Sequence, residues 1–168
     1  MDRKTPDGLS IPEDIVEPLY TAVGQLVVNW ALMEQALESW VAVIYHQAGG
    51  KLVTPKLSKR LGDKISLLRR WLVEIDQLAP FSPEGVTLLD RIEALGKTRN
   101  HIVHGAISEF EPSSLTLTFI KIDTDKCRSM QRANSLRITA AELLSAGTEA
   151  MDLASDVVDF GSTLSKSV

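Results

Sequence analysis

Residues Arg99-Asn100-His101-Ile102-Val103-His104-Gly105 place, within seven positions, side chains suited to chemistry on a phosphate ester. A guanidinium is always charged and forks onto phosphate oxygens. An imidazole titrates near neutrality and serves as general acid or base. Arg99 also interrupts an apolar row. Positions 88, 92, 95, 99 and 102 step by 4, 3, 4 and 3, and the other four are Leu88, Ile92, Leu95 and Ile102. A second interruption is Glu34, which shares a row with Tyr20, Val27 and Val41 on an earlier helix. Burial is expected at both positions, and an unpaired buried ion costs several kcal/mol, so each should find a partner. Two readings stay open. Either Glu34 and Arg99 pair across a helical bundle, or Arg99 faces a cleft or interface and binds an anionic group while Glu34 orients it.

On one ideal helix Arg99 and His104 stand five residues and about 140° apart, so they should not meet well within one chain. Two antiparallel copies about a two-fold axis would bring them together, which points to a homodimer. His104 could instead cap the C-terminal end of its helix, where the dipole favours it. His101 and His104 at i, i+3 could be two metal ligands, but no third is indicated; neither a metal nor a cofactor is expected. His46 reads as a helix-end residue. There is no phosphate-cradling glycine loop, no G-x-S-x-G and no paired acid arrangement; Glu38, four residues after Glu34, falls on the solvated side.

The elements that must hold these groups are legible. Leu19, Val23, Leu26, Trp30, Met33, Leu37, Trp40 and Ile44 step alternately by 4 and 3, an apolar seam over three and a half heptads. Ser10 with Glu13 fits a capping box, Pro12 suits an early helical position, and Pro18 should delay or kink the start. Gly49-Gly50 ends this helix. At 1.5 Å per residue it would run roughly 50 Å, so part of it could serve another chain. Thr54-Pro55 predicts the opening of a second helix with Leu57, Leu61, Ile65, Leu68, Leu72, Ile75 and Leu78 inward, stopped by Pro80 and Pro83. Ser82-Pro83 opens a third, which Gly105 closes. The period then changes to two in Leu115–Phe119, predicting a hairpin of 106–111 and 115–122, with 135–138 a short third strand. Thr139 and Glu142 form a second capping box for a last helix, on which Gly147, Ala150, Ala154 and Gly161 permit close helix approach. The expected fold is mainly α: a four-helix up-and-down bundle, one domain over 1–168, with a small β excursion at 106–138 between helices three and four. Trp30, Trp40 and Trp71 fall on apolar faces.

The 168 residues are 44% hydrophobic and 24% charged, ordinary for a globular protein large enough to fold without disulfide or metal staples. The single cysteine, Cys127, forms no internal disulfide and suggests a reducing, cytoplasmic setting. No signal peptide or membrane span is expected, and no membrane partner. The formal net charge of −4 argues against a globally basic nucleic-acid binder. Charge is nonetheless uneven. Residues 51–70 carry Lys51, Lys56, Lys59, Arg60, Lys64, Arg69 and Arg70 against Asp63, and 121–137 carry Lys121, Lys126, Arg128, Arg132 and Arg137 against Asp123 and Asp125. Such stretches could give an acidic protein a basic face for phosphate, or they could be solvated surface.

An arginine followed by a polar residue, with histidine five positions after the arginine at a helix end, resembles the R-x4-6-H signature of HEPN (higher eukaryotes and prokaryotes nucleotide-binding) domains. The long first helix with Trp30-x-x-Met33-Glu34-x-x-Leu37, the basic second helix and RN-x-x-x-HG closing the third are similar to compact bacterial members of that group. The resemblance implies a homodimeric helical bundle in which Arg99 and His104 from two subunits cleave RNA without metal. Asn100 would support the site by holding RNA or fixing His104 four residues on, unless it makes only a helix-terminal polar contact, and Glu34 would support it by orienting Arg99. Lys59, Arg60, Lys64, Arg69 and Arg70 would contact RNA. It further suggests a toxin–antitoxin or defence setting, with an antitoxin or nucleotidyltransferase as partner. Two rival readings are a non-catalytic module of the same type, binding RNA, nucleotide or protein, and a structural helical dimer.

Overall fold

Residues 3–4, 10–125 and 130–168 are described by the computed structural model, with side chains at 11–123 and 132–168. The chain is mainly helical with one small three-stranded antiparallel sheet. Its elements run β1 (Arg3–Lys4), β2 (Ser10–Ile11), α1 (Glu13–His46), α2 (Gly50–Val53), α3 (Leu61–Glu74), a 3-10 turn (Asp76–Phe81), α4 (Ser82–His104), β3 (Ala106–Glu111), β4 (Thr116–Asp125), β5 (Met130–Thr139) and α5 (Ala140–Ser167). They form two compact units, Met1–Val28 with Gly96–Glu149 and Asn29–Leu95 with Ala150–Val168.

The second unit is built on tryptophan. Trp30, Trp40 and Trp71 are at most 2% exposed, as the apolar faces predicted. The Trp40 indole Nε1–H donates to the Val157 carbonyl at 2.7 Å, and its ring lies 4.3 Å from that of Phe160. Gly161 makes this possible: a Cβ there would stand 2.7 Å from Trp40 Nε1. The smallness of that position therefore serves one tryptophan.

The second predicted helix is the main correction. Thr54 does not open it. Its N–H donates to Gly50 O and closes the short α2. Residues 54–60 are not helical, and α3 begins at Leu61. The cause is local. Ser58 Oγ accepts the Arg60 N–H at 3.2 Å and donates to Asp63 at 2.6 Å, so side-chain bonds organise the start four residues later. Pro55 is pinned in the preceding loop, where the Tyr45 hydroxyl donates to its carbonyl at 2.8 Å. Gly49, at φ 83°, takes the left-handed turn that lets α2 follow α1. The helix stops at Glu74, before Pro80, and Leu78 reaches the core from the 3-10 turn.

The first unit packs α1's opening turns, the end of α4, the sheet and the start of α5. Pro18 sits within α1 without delaying it: the helix begins at Glu13, with the Pro12 carbonyl accepting its first bonds. Ser10 pairs its backbone with Lys4 instead, and its side chain lies outside the described residues. The predicted capping box at Thr139 is present. Thr139 N–H donates to Glu142 at 2.8 Å, and Glu142 N–H donates to Thr139 Oγ1 at 3.2 Å. These bonds to the Thr139 backbone and hydroxyl hold the Glu142 carboxyl below the usual range.

The sheet is ordered β3-β4-β5 and is longer than the alternation suggested. Thr116↔Thr139 to Asp125↔Met130 pair in unbroken register, whereas β3 covers only Thr116–Ile120. Leu117, Phe119 and Ile138 share the buried face. Farther along that same face come Lys121, Asp123, Asn134 and Arg132, a polar end with no apolar period to announce it.

Candidate active site

Arg99, Asn100, His101 and His104 occupy the last turns of α4. Gly105 ends the helix where a side chain has no room: a Cβ would stand 2.3 Å from the His101 carbonyl oxygen and 3.1 Å from that of Ile120. The Gly105 N–H donates to the His101 carbonyl at 2.8 Å, and the chain then turns directly into β3. The exposed His104 is thereby held at a junction between helix and sheet.

Arg99 Nη1 lies 3.5 Å from His104 Nε2 and donates to Asn100 Oδ1 at 3.2 Å. This corrects the expectation that the pair could not meet within one chain. Five residues of helix separate their Cα atoms by only about 7.5 Å of rise, and the long arginine side chain spans the remaining angle. Arginine has no acceptor, so a hydrogen bond across this contact is one that His104 Nε2 accepts. Asn100 does not fix His104 directly. It holds the guanidinium that meets His104. Arg99 itself is half-buried, as expected for a cation in an otherwise buried row.

His101 is oriented differently. Its Nδ1 lies 2.9 Å from the Lys97 carbonyl, which can only accept, so Nδ1 carries a proton. The polar end of the sheet supplies Asp123, whose two oxygens take Lys121 Nζ at 2.9 Å and Asn134 Nδ2 at 2.8 Å. Those two bonds, Lys121 foremost, hold the Asp123 carboxyl below the usual carboxylate range. Partial desolvation opposes them, and the charges of Lys121 and of the His101 imidazole act in the same lowering direction. Asp123, Lys121 and Asn134 were not among the predicted site residues. The available signal was the alternation Lys121-Ile122-Asp123, which continues the period of β4 with polar side chains.

The remaining candidates divide sharply. Glu34 belongs to the other unit, where it accepts the Trp30 indole N–H at 2.8 Å. Its row grades from exposed to buried along the helix: Tyr20 is 65% and Val27 37% exposed, whereas Val41 is buried. The glutamate is half-buried because a tryptophan four residues earlier uses it as an acceptor. Lys64 pairs with Glu38, Arg69 with Asp90 and Glu93, and Arg70 with Glu74 while also donating to the Val53 carbonyl and Thr54. Three of the five proposed RNA contacts are therefore compensated by neighbouring carboxylates. Lys59 and Arg60 form no ion pair among the described residues. Lys126, Cys127 and Arg128 lie outside the described residues. His46 ends α1 and packs edge-on against Tyr45 at 5.0 Å. Among the described residues no group of three or more His, Cys, Asp or Glu side chains could hold a metal ion, and no helix is long and apolar enough to cross a membrane. No protein-family model, curated protein or solved structure matches the chain.

Proposed function

We propose that this protein is a metal-independent endoribonuclease whose Arg99 and His104 act on an RNA phosphate. The observation that carries the reading is the contact of Arg99 Nη1 with His104 Nε2, at 3.5 Å on an exposed helix end. Cleavage by the 2′-hydroxyl needs a base beside that hydroxyl and positive charge on the phosphate. A phosphate entering the site competes with His104 for the guanidinium. Once Arg99 turns to the phosphate oxygens, the Nε2 lone pair is released to take the 2′-hydroxyl proton. Asn100 keeps one guanidinium nitrogen in place during the exchange. The R-x4-H spacing, rather than the Arg99–His104 contact within one chain, is what supports an HEPN-like helical bundle acting as a homodimer in the cytoplasm, in a toxin–antitoxin or defence role with an antitoxin or nucleotidyltransferase partner. The non-catalytic alternative draws on the same contact, since an imidazole that stayed bound to Arg99 would only help to bind an anion.

The test is cleavage of single-stranded RNA in excess EDTA, with a 2′,3′-cyclic or 3′-phosphate end expected. His104→Ala should lower the rate by about 10²–10⁴, and Arg99→Ala comparably. Wild-type protein that binds RNA at pH 6–8 but never cuts it would select the non-catalytic module. Light scattering that shows only the 18.4 kDa monomer at tens of micromolar would remove the homodimer.

A further inference from the structure

In the second unit α1 and α5 lie side by side and leave an open, largely apolar groove between them. It is lined by Leu32 and Met151 at one end and by Val43 and Ser165 at the other, so the two helices run in the same direction. Its floor is made of small side chains, Ala36, Ser39 and Ala154. Three large ones on its rim, Leu32, Met151 and Val158, are 58%, 54% and 52% exposed. Apolar exposure grouped in this way marks a surface that a partner covers. Charge identifies the partner. Asp152, Asp159 and Lys166 follow one another at intervals of seven residues, within about 20° of two full turns, and so form one line along the flank of the groove. None of the three forms an ion pair among the described residues, whereas Asp156, one turn on from Asp152, is bound to Arg91. Asp152 and Lys166 stand about 21 Å apart along the helix, too far to neutralise each other within one chain. A line with opposite charges at its two ends is its own complement when turned end to end.

We infer that the α1–α5 groove is a self-association face covered by a second copy of this chain, with the two α5 helices antiparallel about a two-fold axis at the level of Val158 and Asp159. That axis sets Lys166 against Asp152 of the second copy, and the symmetry repeats the pair at the other end. It places Val158 on Val158 and lays Met151 over Ser165 of the second copy, a large side chain over a small one. One like-charge contact results, Asp159 with its own copy beside the axis. The face is about 22 Å long and two helices, about 20 Å, wide. Two such faces bury on the order of 900 Å² in total, the low end for a specific pair, so a dimer that dissociates in the micromolar range is expected. The homodimer of the ribonuclease reading has no surface assigned to it; exposure and charge supply one here, whether or not the protein cleaves RNA.

The test is a dilution series of the full chain by sedimentation velocity. Wild type should pass from dimer to the 18.4 kDa monomer across micromolar concentrations. Val158→Glu puts two carboxylates face to face at an exposed position and should weaken the dimer by at least about tenfold, with helical circular dichroism unchanged. Lys166→Glu and Asp152→Lys should each weaken it about threefold to tenfold, since each site takes part in both end pairs. The double reversal should restore it to near wild type. The two positions cannot touch within one chain, so recovery can come only from contact between copies. Asp159→Asn should tighten the dimer about twofold to threefold. A Val158→Glu dimer as tight as wild type overturns this face and leaves both a homodimer through another surface and the ribonuclease reading intact. Single reversals that weaken the dimer without recovery in the double overturn the antiparallel packing. Wild type that stays monomeric at its highest soluble concentration overturns self-association, and RNA cleavage by that monomer would leave the catalytic reading standing.

Discussion

The two units keep their polar groups in opposite ways. In Asn29–Leu95 with Ala150–Val168, Lys64, Arg69, Arg70 and Arg91 are matched to anions, and two of the three tryptophans give their indole N–H to acceptors within that unit. In Met1–Val28 with Gly96–Glu149, an exposed His104 and the half-buried Arg99 and His101 share one helix end. A closed hydrogen-bond account stabilises. Polar groups whose partners can be exchanged are the ones able to meet a ligand. Substitutions in the first kind of region should act on folding, and those in the second on activity.

The largest effect that would sharpen the contrast is all-or-none. Arg99 and His104 meet within one chain. Mixed dimers of Arg99→Ala and His104→Ala chains should therefore remain as inactive as either variant, about 10²-fold or more below wild type. Substantial recovery on mixing would mean that each site takes its arginine and histidine from different subunits. It would also show the contact within one chain to be incidental to activity.

Next in size, Trp40→Ala should cost about 3–5 kcal/mol in denaturant unfolding, the usual penalty for emptying a large aromatic site. Activity per folded molecule should be unchanged. A loss of activity in fully folded Trp40→Ala protein would break the division of labour between the units.

A finer comparison lies inside the tryptophan core. Trp40 Nε1 donates to Val157, whereas the buried Trp71 Nε1 has no hydrogen-bond partner among the described residues. Both positions lose similar volume on substitution by phenylalanine. Trp40→Phe removes a made hydrogen bond, and Trp71→Phe removes an unsatisfied donor. Trp71→Phe should be the milder by about 1–3 kcal/mol, measured by urea unfolding. Equal costs would show that packing alone sets the value of these positions.

The smallest effect concerns the α5 cap. Thr139→Ala should lower stability by about 1 kcal/mol, or about 2–4 °C in melting temperature. Glu142 adds a pH signature. Its carboxyl is held below the ordinary value by the Thr139 bonds, so its contribution is present above the unfolded-state value near 4.5 and is lost as pH falls through the lowered folded value. The melting-temperature gap between wild type and Glu142→Gln should shrink as pH drops below that range. A gap that stays constant from pH 7 to pH 2 would assign the effect to packing.

Much of this was legible beforehand because local physics decides it. An apolar seam from Leu19 to Ile44 buries itself whatever surrounds it, and every member is buried except the half-buried Val23. Thr139-x-x-Glu142 closes its own capping box with bonds three residues apart. Thr54-Pro55 misled because an equally good local option, Ser58 with Asp63, lies four residues on, and a capping residue says nothing of its competitors. Glu34 was singled out by its row, but the acceptor role it plays towards Trp30 is a contact between side chains that the row does not encode.

What the sequence by itself determined is the three long helices α1, α4 and α5, the composition of the tryptophan core and the clustering of Arg99, His101 and His104 at a helix end. Those follow from periodicity, capping and spacing, all short-range properties. The tertiary structure alone decided which groups face one another. It bent Arg99 onto His104 against the helical angle, carried β4 and β5 past the apolar alternation and so gave Asp123 its Asn134 partner, and neutralised Lys64 and Arg69 with carboxylates more than twenty residues away. Pairings between distant positions depend on register and side-chain reach in three dimensions, and no one-dimensional pattern records either.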